Sequence, residues 1–337
     1  MHRPRILVAL TRTEKEDFLP RESFSELESL ASSVRLVDPL ELAQDQWPEV
    51  LADFRPEVLV GAWRTPPLPA DVKTITGDSL RYVCYLPGSV RKLVGEDLIR
   101  EGLLVTNWGN SIARTVAECG LMMAIACLRR VSYWNLHMHG GPAWKNAETL
   151  TGSLFERRVG LHGFGVIARE LVKLMQPFGV SISTYSPSVP DSLLDEFAVR
   201  RADTLEELFR ENDVLVELAA LTPTSRHMVT EAHLRMIPEG GVFVNIGRGA
   251  VVDEEALARV AAEGKLQVGL DVFGKEPLPA DSPFRKLDNV LLLPHISGPT
   301  TDRRQDAGTF GLENIRRYIQ GEPLQSEITG DVYARAT

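Results

Sequence analysis

From Ile6 to about Asn110, short and nearly continuous apolar runs (ILVAL, VRLVD, EVLVGAW, LRYVCYL, GLLVTN) alternate with polar, helix-compatible stretches such as ESFSELESLASS and EDLIREG. Apolar runs without polar interruption fit strands buried on both faces. Their alternation with helical segments is the pattern of a parallel sheet covered by helices. A second block of the same kind opens at Arg158, with strands predicted in VGLHGFG, VSISTYS, DVLVELAA, GVFVNIG, LQVGLDVF and NVLLLPHI and helices in ADTLEELFREN and DEEALARVAAEG. Two turns of the first block, Trp63 to Pro69 and Leu86 to Val90, lie at predicted strand ends, where ligands of open α/β sheets bind.

Between the blocks, Thr115 to Asn135 (TVAECGLMMAIACLRRVSYWN) is apolar on nearly every side, which predicts one buried helix between two domains. Its Leu121, Met122, Met123 and Ile125 read as core or subunit-interface residues rather than cofactor ligands. The stretch that follows, HMHGGPAWKNAETLTGS, reads as a loop or arm, and Asp302 to Gln320 as a closing amphipathic helix. The order of these segments predicts two lobes, residues 1–112 with 299–337 and residues 113–298, sharing a hinge and a cleft that is the default place for chemistry.

A length of 337 residues agrees with two domains. The net charge of −9 argues against a nucleic-acid or an anionic-membrane partner, since each needs a basic surface. No apolar run is long enough to span a membrane and none after Met1 resembles a signal peptide, so the expected location is cytoplasmic. Cys84, Cys119 and Cys127 sit in apolar runs and read as buried thiols. His137 and His139 have no carboxylate or cysteine partner at ligand spacing, so no metal is expected. The double arginines, Arg200-Arg201 among them, read as solvated faces.

Chemistry enters with Arg158 to Met175, RVGLHGFGVIARELVKLM. It reads as strand, tight turn and helix. Gly163 permits the turn, Gly165 lets the backbone approach a pyrophosphate, and small Ala168 lets the helix pack on the strand. A helix N-terminus there offers N–H groups and positive dipole charge to phosphates. Three later strand ends carry useful groups. Asn245-Ile246-Gly247-Arg248-Gly249 sets an arginine between glycines, where its planar fork suits a carboxylate; read alone, it fits a surface ion pair as well. Asp271 to Pro277 and Pro294 to Gly298 contribute Glu276 and His295. A histidine at the end of a very apolar strand suits proton transfer near neutral pH, and a carboxylate on its other ring nitrogen would fix the tautomer. His162, inside a strand, and His227 and His233, on polar segments, read as non-catalytic.

Taken together, the glycine loop with NIGRG, DVFGKEP and LPHISG resembles the D-isomer-specific 2-hydroxyacid dehydrogenase family. VTN with VAE near Asn107 to Glu118, LTPTSRHMV, RGAVVDEEAL and NIRRYIQGEPL extend the likeness over most of the chain. The resemblance implies an α/β architecture of two Rossmann-like lobes, a flavodoxin-like substrate domain with an inserted NAD(P)-binding Rossmann domain. It implies Arg248, Glu276 and His295 as the catalytic set. It also implies NAD or NADP contacts at Gly163, Gly165, Val166, Ile167, Ser186, Pro223, Ile246, Gly247 and Asp271, the last near the nicotinamide amide. Leu86, Gly88 and Ser89 would join Arg248 in holding a small 2-oxo or 2-hydroxy acid of D configuration, in a homodimer.

Several positions depart from the family's pattern. Ser186 stands where the family usually has the aspartate that bonds the adenosine ribose, so NAD and NADP both stay open, with Arg200 or Arg201 in reach of a 2′-phosphate or merely solvated. The loop YLPGSVRKL and Trp63 differ from the commoner residues and leave the acid unspecified, and Leu218 replaces a histidine that many members carry. Two other readings remain: a phosphite-type dehydrogenase, and a dinucleotide-sensing interaction protein of the co-repressor branch. Formate dehydrogenase is a weaker relative, since a glutamine stands there in place of Glu276.

Overall fold

The computed structural model describes residues 2–43 and 45–335, so the predicted ends at Met1, Ala336 and Thr337 lie outside the described residues. Two compact units divide the chain, one running to Ile112 and resuming at Pro299, the other Ala113–Gly298.

In the first unit β1 (Arg5–Ala9), β2 (Ser33–Val37), β3 (Val58–Gly61), β4 (Tyr82–Tyr85) and β5 (Leu104–Thr106) form a parallel sheet in the order β2-β1-β3-β4-β5. That is the flavodoxin-like order. Alternate side chains leave a strand on opposite faces. Leu7, Leu59, Val83 and Val105 accordingly enter one core cluster, while Ile6, Val58, Val60 and Tyr82 enter another on the other side. Both faces are buried, which is why the apolar runs show no alternation. The helix Arg304–Gln320 closes this unit so tightly that a Cβ on Gly308 would collide with the Phe18 carbonyl.

In the second unit β6 (Arg158–His162), β7 (Ser181–Tyr185), β8 (Arg200–Arg201), β9 (Val214–Glu217), β10 (Val242–Asn245), β11 (Gln267–Leu270) and β12 (Val290–Leu292) form a parallel sheet in the order β12-β11-β10-β9-β6-β7-β8. This is the doubly wound dinucleotide-binding order with one strand added beyond β11. The fold class expected from the sequence is therefore the fold observed.

Four expectations need correction. The predicted 115–135 helix is two helices, Ala113–Leu128 and Val131–Gly140, because Arg130 adopts a left-handed conformation (φ 54°) that ends the first. The second helix runs through His137 and His139, which were expected in a loop, and none of its residues is buried. Arg200 and Arg201 form an edge strand rather than a purely solvated face. The three cysteines are free, Cys84 and Cys127 buried and Cys119, against expectation, only half-buried; desolvation pushes the thiols of Cys84 and Cys119 up to about 11 and that of Cys127 up to about 12. No helix among the described residues is long and apolar enough to cross a membrane.

Candidate active site

The strand order of the second sheet reverses between β6 and β9, and in such sheets the crevice at the carboxyl ends of the reversing strands is where a ligand fits. Gly163 follows β6 with φ +93°, a region that favours glycine, and a Cβ there would lie 3.0 Å from the Ala219 Cα. Gly165 is the N-cap of the helix Val166–Met175, which has no side-chain cap, and apart from its chain neighbours no heavy atom lies within 4 Å of where its Cβ would stand. Ala168 is fully buried one turn on. An uncapped helix start beside an open glycine is what a pyrophosphate requires, so this loop fits the phosphates of a dinucleotide. Val166 and Ile167 are half-buried at the head of the same helix.

The other predicted cofactor residues are placed as follows. Ser186 directly follows β7, and its carbonyl accepts from Arg201 Nη1 at 3.1 Å. Pro223 is exposed in a turn that Ser225 Oγ ties to the Ala220 carbonyl at 2.7 Å. Gly247 approaches β9 closely: a Cβ would come within 3.0 Å of the Glu217 carbonyl. Ile246 is 3% exposed and turns its side chain toward Gly120 in the core, which leaves its backbone for a ligand.

Sequence reasoning missed one feature beneath this crevice. His162 Nδ1 and Glu217 Oε2, both buried at the ends of β6 and β9, lie 2.5 Å apart. The other Glu217 oxygen accepts from the Ala219 N–H at 2.8 Å. A buried glutamate needs partners, so a histidine and a glutamate ending neighbouring apolar strands were the signal. Nothing in spacing alone joins residues 55 positions apart.

At the ends of β11 and β12 two of the predicted catalytic residues meet. His295 Nδ1 and Glu276 Oε2 are 2.7 Å apart, and Glu276 Oε1 accepts from the Phe273 N–H at 3.1 Å. His295 is in the left-handed region with φ 55°, which an L-residue enters only when its surroundings hold it there. Asp271 does the holding. Its carbonyl accepts from the His295 N–H at 2.9 Å, and its fully buried carboxylate accepts from Ile296 N–H at 2.8 Å and Ser297 N–H at 3.0 Å. Both carboxylate oxygens of Asp271 thus serve the histidine's turn, a role the sequence did not suggest. The ring is left half exposed, with Nε2 available to a ligand.

Arg248 reaches this group through glycine. A Cβ on Gly249 would overlap the Phe273 carbonyl carbon, so the backbone after Arg248 presses directly on the turn that carries Glu276. Desolvation lowers the Arg248 guanidinium from its ordinary value, and the Glu276 charge opposes that. At so basic a starting point it stays cationic at neutral pH. The site therefore combines a fixed cation, a carboxylate-oriented imidazole and an open phosphate loop.

The predicted substrate loop belongs to the first unit and needs one correction. The Leu86 N–H donates to the Gly61 carbonyl at 2.9 Å, its side chain is 1% exposed, and Pro87 has no N–H. An N–H clamp there narrows to Gly88 and Ser89. Gly88 lies under Trp108, 2.7 Å from where a Cβ would be, and its carbonyl accepts from Asn107 Nδ2 at 2.7 Å.

Comparison with known proteins bears on this geometry. Residues 121–297 match the family model for the NAD binding domain of D-isomer specific 2-hydroxyacid dehydrogenases. A glyoxylate/hydroxypyruvate reductase of Arabidopsis thaliana is 31% identical over 265 residues, 76% of this chain and 80% of that protein. A D-3-phosphoglycerate dehydrogenase of Methanocaldococcus jannaschii is 30% identical over 234 residues, 69% of this chain but only 44% of that longer protein. Among solved structures, the NAD complexed form of a D-isomer specific 2-hydroxyacid dehydrogenase from Lactobacillus delbrueckii ssp. bulgaricus has the same fold, with a TM-score of 0.80 over 96% of this chain and 100% of that one at 18% identity. The chain belongs to the D-isomer specific 2-hydroxyacid dehydrogenase family and is an NAD(P)-linked oxidoreductase of 2-hydroxy acids.

Proposed function

We propose that the chain reduces a small 2-oxo acid to the D-2-hydroxy acid, and runs the reverse reaction, with Arg248, Glu276 and His295 as its working groups. The observation that carries this reading is the 2.7 Å His295–Glu276 pair, held in a strained turn by Asp271. Arg248 offers its planar fork to the acid's carboxylate and keto oxygen, drawing charge toward the oxygen that becomes an alkoxide. Glu276 occupies Nδ1 of His295, so that Nε2 delivers a proton to the alkoxide, or removes one from the hydroxyl in the oxidising direction. A nicotinamide, when bound, would supply the hydride to C2. The loop from Gly163 to Ile167, with Ser186, Pro223, Gly247 and the Ile246 backbone, holds the rest of the dinucleotide, while Asp271 acts through the His295 turn.

The relatives named as glyoxylate and hydroxypyruvate reductases support a small acid as substrate. The chain is further read as a homodimer. Of 13 exposed large apolar side chains among the described residues, eight fall between Met122 and Leu174, among them Trp144 (73%), Leu150 (67%) and Phe155 (63%). Apolar surface so concentrated suits a partner face. The chain is read as cytoplasmic, and the net charge of −9 speaks against nucleic-acid partners.

The test is a panel of 2-oxo acids, from glyoxylate to bulky aromatic ones, assayed with NADH and with NADPH. Turnover of a small acid with either cofactor is the expected result. Nucleotide binding without turnover of any acid would instead favour the sensing protein of the co-repressor branch.

A further inference from the structure

We infer that this chain takes NADP(H) in preference to NAD(H), with Arg201 as the residue that holds the 2′-phosphate. The inference rests on the dinucleotide reading of the Gly163 loop and adds which dinucleotide. In doubly wound sheets a carboxylate about 20 residues beyond the glycines bonds the ribose 2′-hydroxyl and repels a 2′-phosphate, whereas a nearby arginine accepts one. Here the residue directly after β7 is Ser186, and the loop continues Pro187-Ser188-Val189-Pro190 with no acidic side chain until Asp191.

The neighbouring strand supplies the cation. β8 pairs with β7 so that Arg201 stands opposite Thr184, two residues before Ser186. Its guanidinium fills the hollow of the loop: Nη1 donates to the Ser186 carbonyl at 3.1 Å and Nη2 to the Val189 carbonyl at 2.5 Å. These bonds fix the fork at the carboxyl edge of β7. Arg200 is a contrast. It points to Glu207 and Glu211 of the helix Leu205–Glu211, whose two carboxylates already neutralise it.

Asp191 is the carboxylate set against Arg201: its Oδ1 accepts from Nε at 2.7 Å and Nη2 at 2.6 Å, the aspartate side chain being 80% exposed and the arginine 28%. A carboxylate so exposed holds a guanidinium weakly, and a phosphate dianion with three oxygens is the stronger partner for it. Asp191 thus screens Arg201 in the free protein and yields to the phosphate when it arrives.

The test is equilibrium binding of NADPH and NADH to the full chain, followed by nucleotide fluorescence without any acid substrate. NADPH should bind at least tenfold tighter. Arg201→Leu should weaken NADPH at least tenfold and leave NADH within twofold, whereas a merely structural role in the loop would weaken both alike. Ser186→Asp keeps Arg201 and its loop bonds, so it probes the same point without risk to the fold; it should reverse the preference. NADH binding as tightly as NADPH to the unaltered chain, or an unchanged ratio in Ser186→Asp, would overturn the inference and leave the oxidoreductase reading standing. Binding of neither nucleotide would overturn both.

Discussion

Both sheets have a point where the strand order reverses, β1 against β3 in the first unit and β6 against β9 in the second, yet their carboxyl edges are finished in opposite ways. In the first unit Thr65 Oγ1 donates to the Ala9 carbonyl at 2.7 Å and accepts from the Ala62 N–H at 2.7 Å, tying the ends of both strands together. The helix Arg12–Phe18 behind β1 is closed by a capping box. Thr11 Oγ1 takes the Glu14 N–H, and the buried Glu14 carboxylate takes the N–H groups of Thr11 and Arg64, each at 3.0 Å. The protein's own anion thus occupies the place where a phosphate would bind. At the second edge Gly165 caps the helix without a side chain, and the space before it is empty of protein. One strand plan serves as scaffold in one unit and as nucleotide site in the other, and the difference lies in a handful of residues at the strand ends.

That contrast can be broken in steps of decreasing size. The largest concerns chemistry at the open edge: His295→Ala should lower kcat by roughly 10²–10⁴, the range for losing a general acid, with the dissociation constant for the nucleotide unchanged. Steady-state rates and nucleotide titration check both halves, and full activity in the variant would remove His295 from the mechanism. At the sealed edge, Glu14→Ala orphans the N–H groups of Thr11 and Arg64 and should cost about 1–3 kcal/mol in denaturant unfolding, with nucleotide affinity untouched; unchanged stability would mean that Glu14 does not seal that edge.

The smallest effect belongs to the amino edge of the second sheet. Asp213 pairs with Arg158 at 2.6 Å, which holds its carboxyl below the usual carboxylate range, burial opposing. A carboxyl depressed on folding stabilises the protein above its unfolded value, about 3.9, and that contribution fades as pH falls through the lower folded value. Asp213→Asn should remove up to about 1 kcal/mol at neutral pH and flatten the loss of stability below about pH 4. Identical acid unfolding curves for the two proteins would contradict this.

How much of this was legible beforehand follows from range. The strands other than β8, the Gly163 turn and the helix after it are local patterns, and each appeared where continuous apolar runs and glycines placed it. The His295–Glu276 pair, 19 residues apart, was legible because both residues end elements on consecutive strands. Contacts that need the register of two or three strands were not legible. Glu14 reaches Arg64 across 50 residues, His162 reaches Glu217 across 55, and Asp271 reaches the backbone after His295 across 25. The Leu86 N–H was misjudged for the same reason, since only strand pairing shows that Gly61 takes it. The helix break at Arg130 was hidden differently: arginine carries no breaking signal, and its left-handed turn is a tertiary effect.

The measurement closest to the central claim is nucleotide titration of Gly165→Val beside the unaltered chain, with thermal melting of both. Apart from its chain neighbours, no protein atom lies within 4 Å of the added Cβ, and φ at this position is −78°, so the fold tolerates the side chain and Tm should not move. The same side chain stands where the pyrophosphate must approach. The account predicts one nucleotide per chain in the unaltered protein and at least a tenfold weaker dissociation constant in the variant. Equal affinity in a variant of equal Tm would show that the dinucleotide does not bind at this edge.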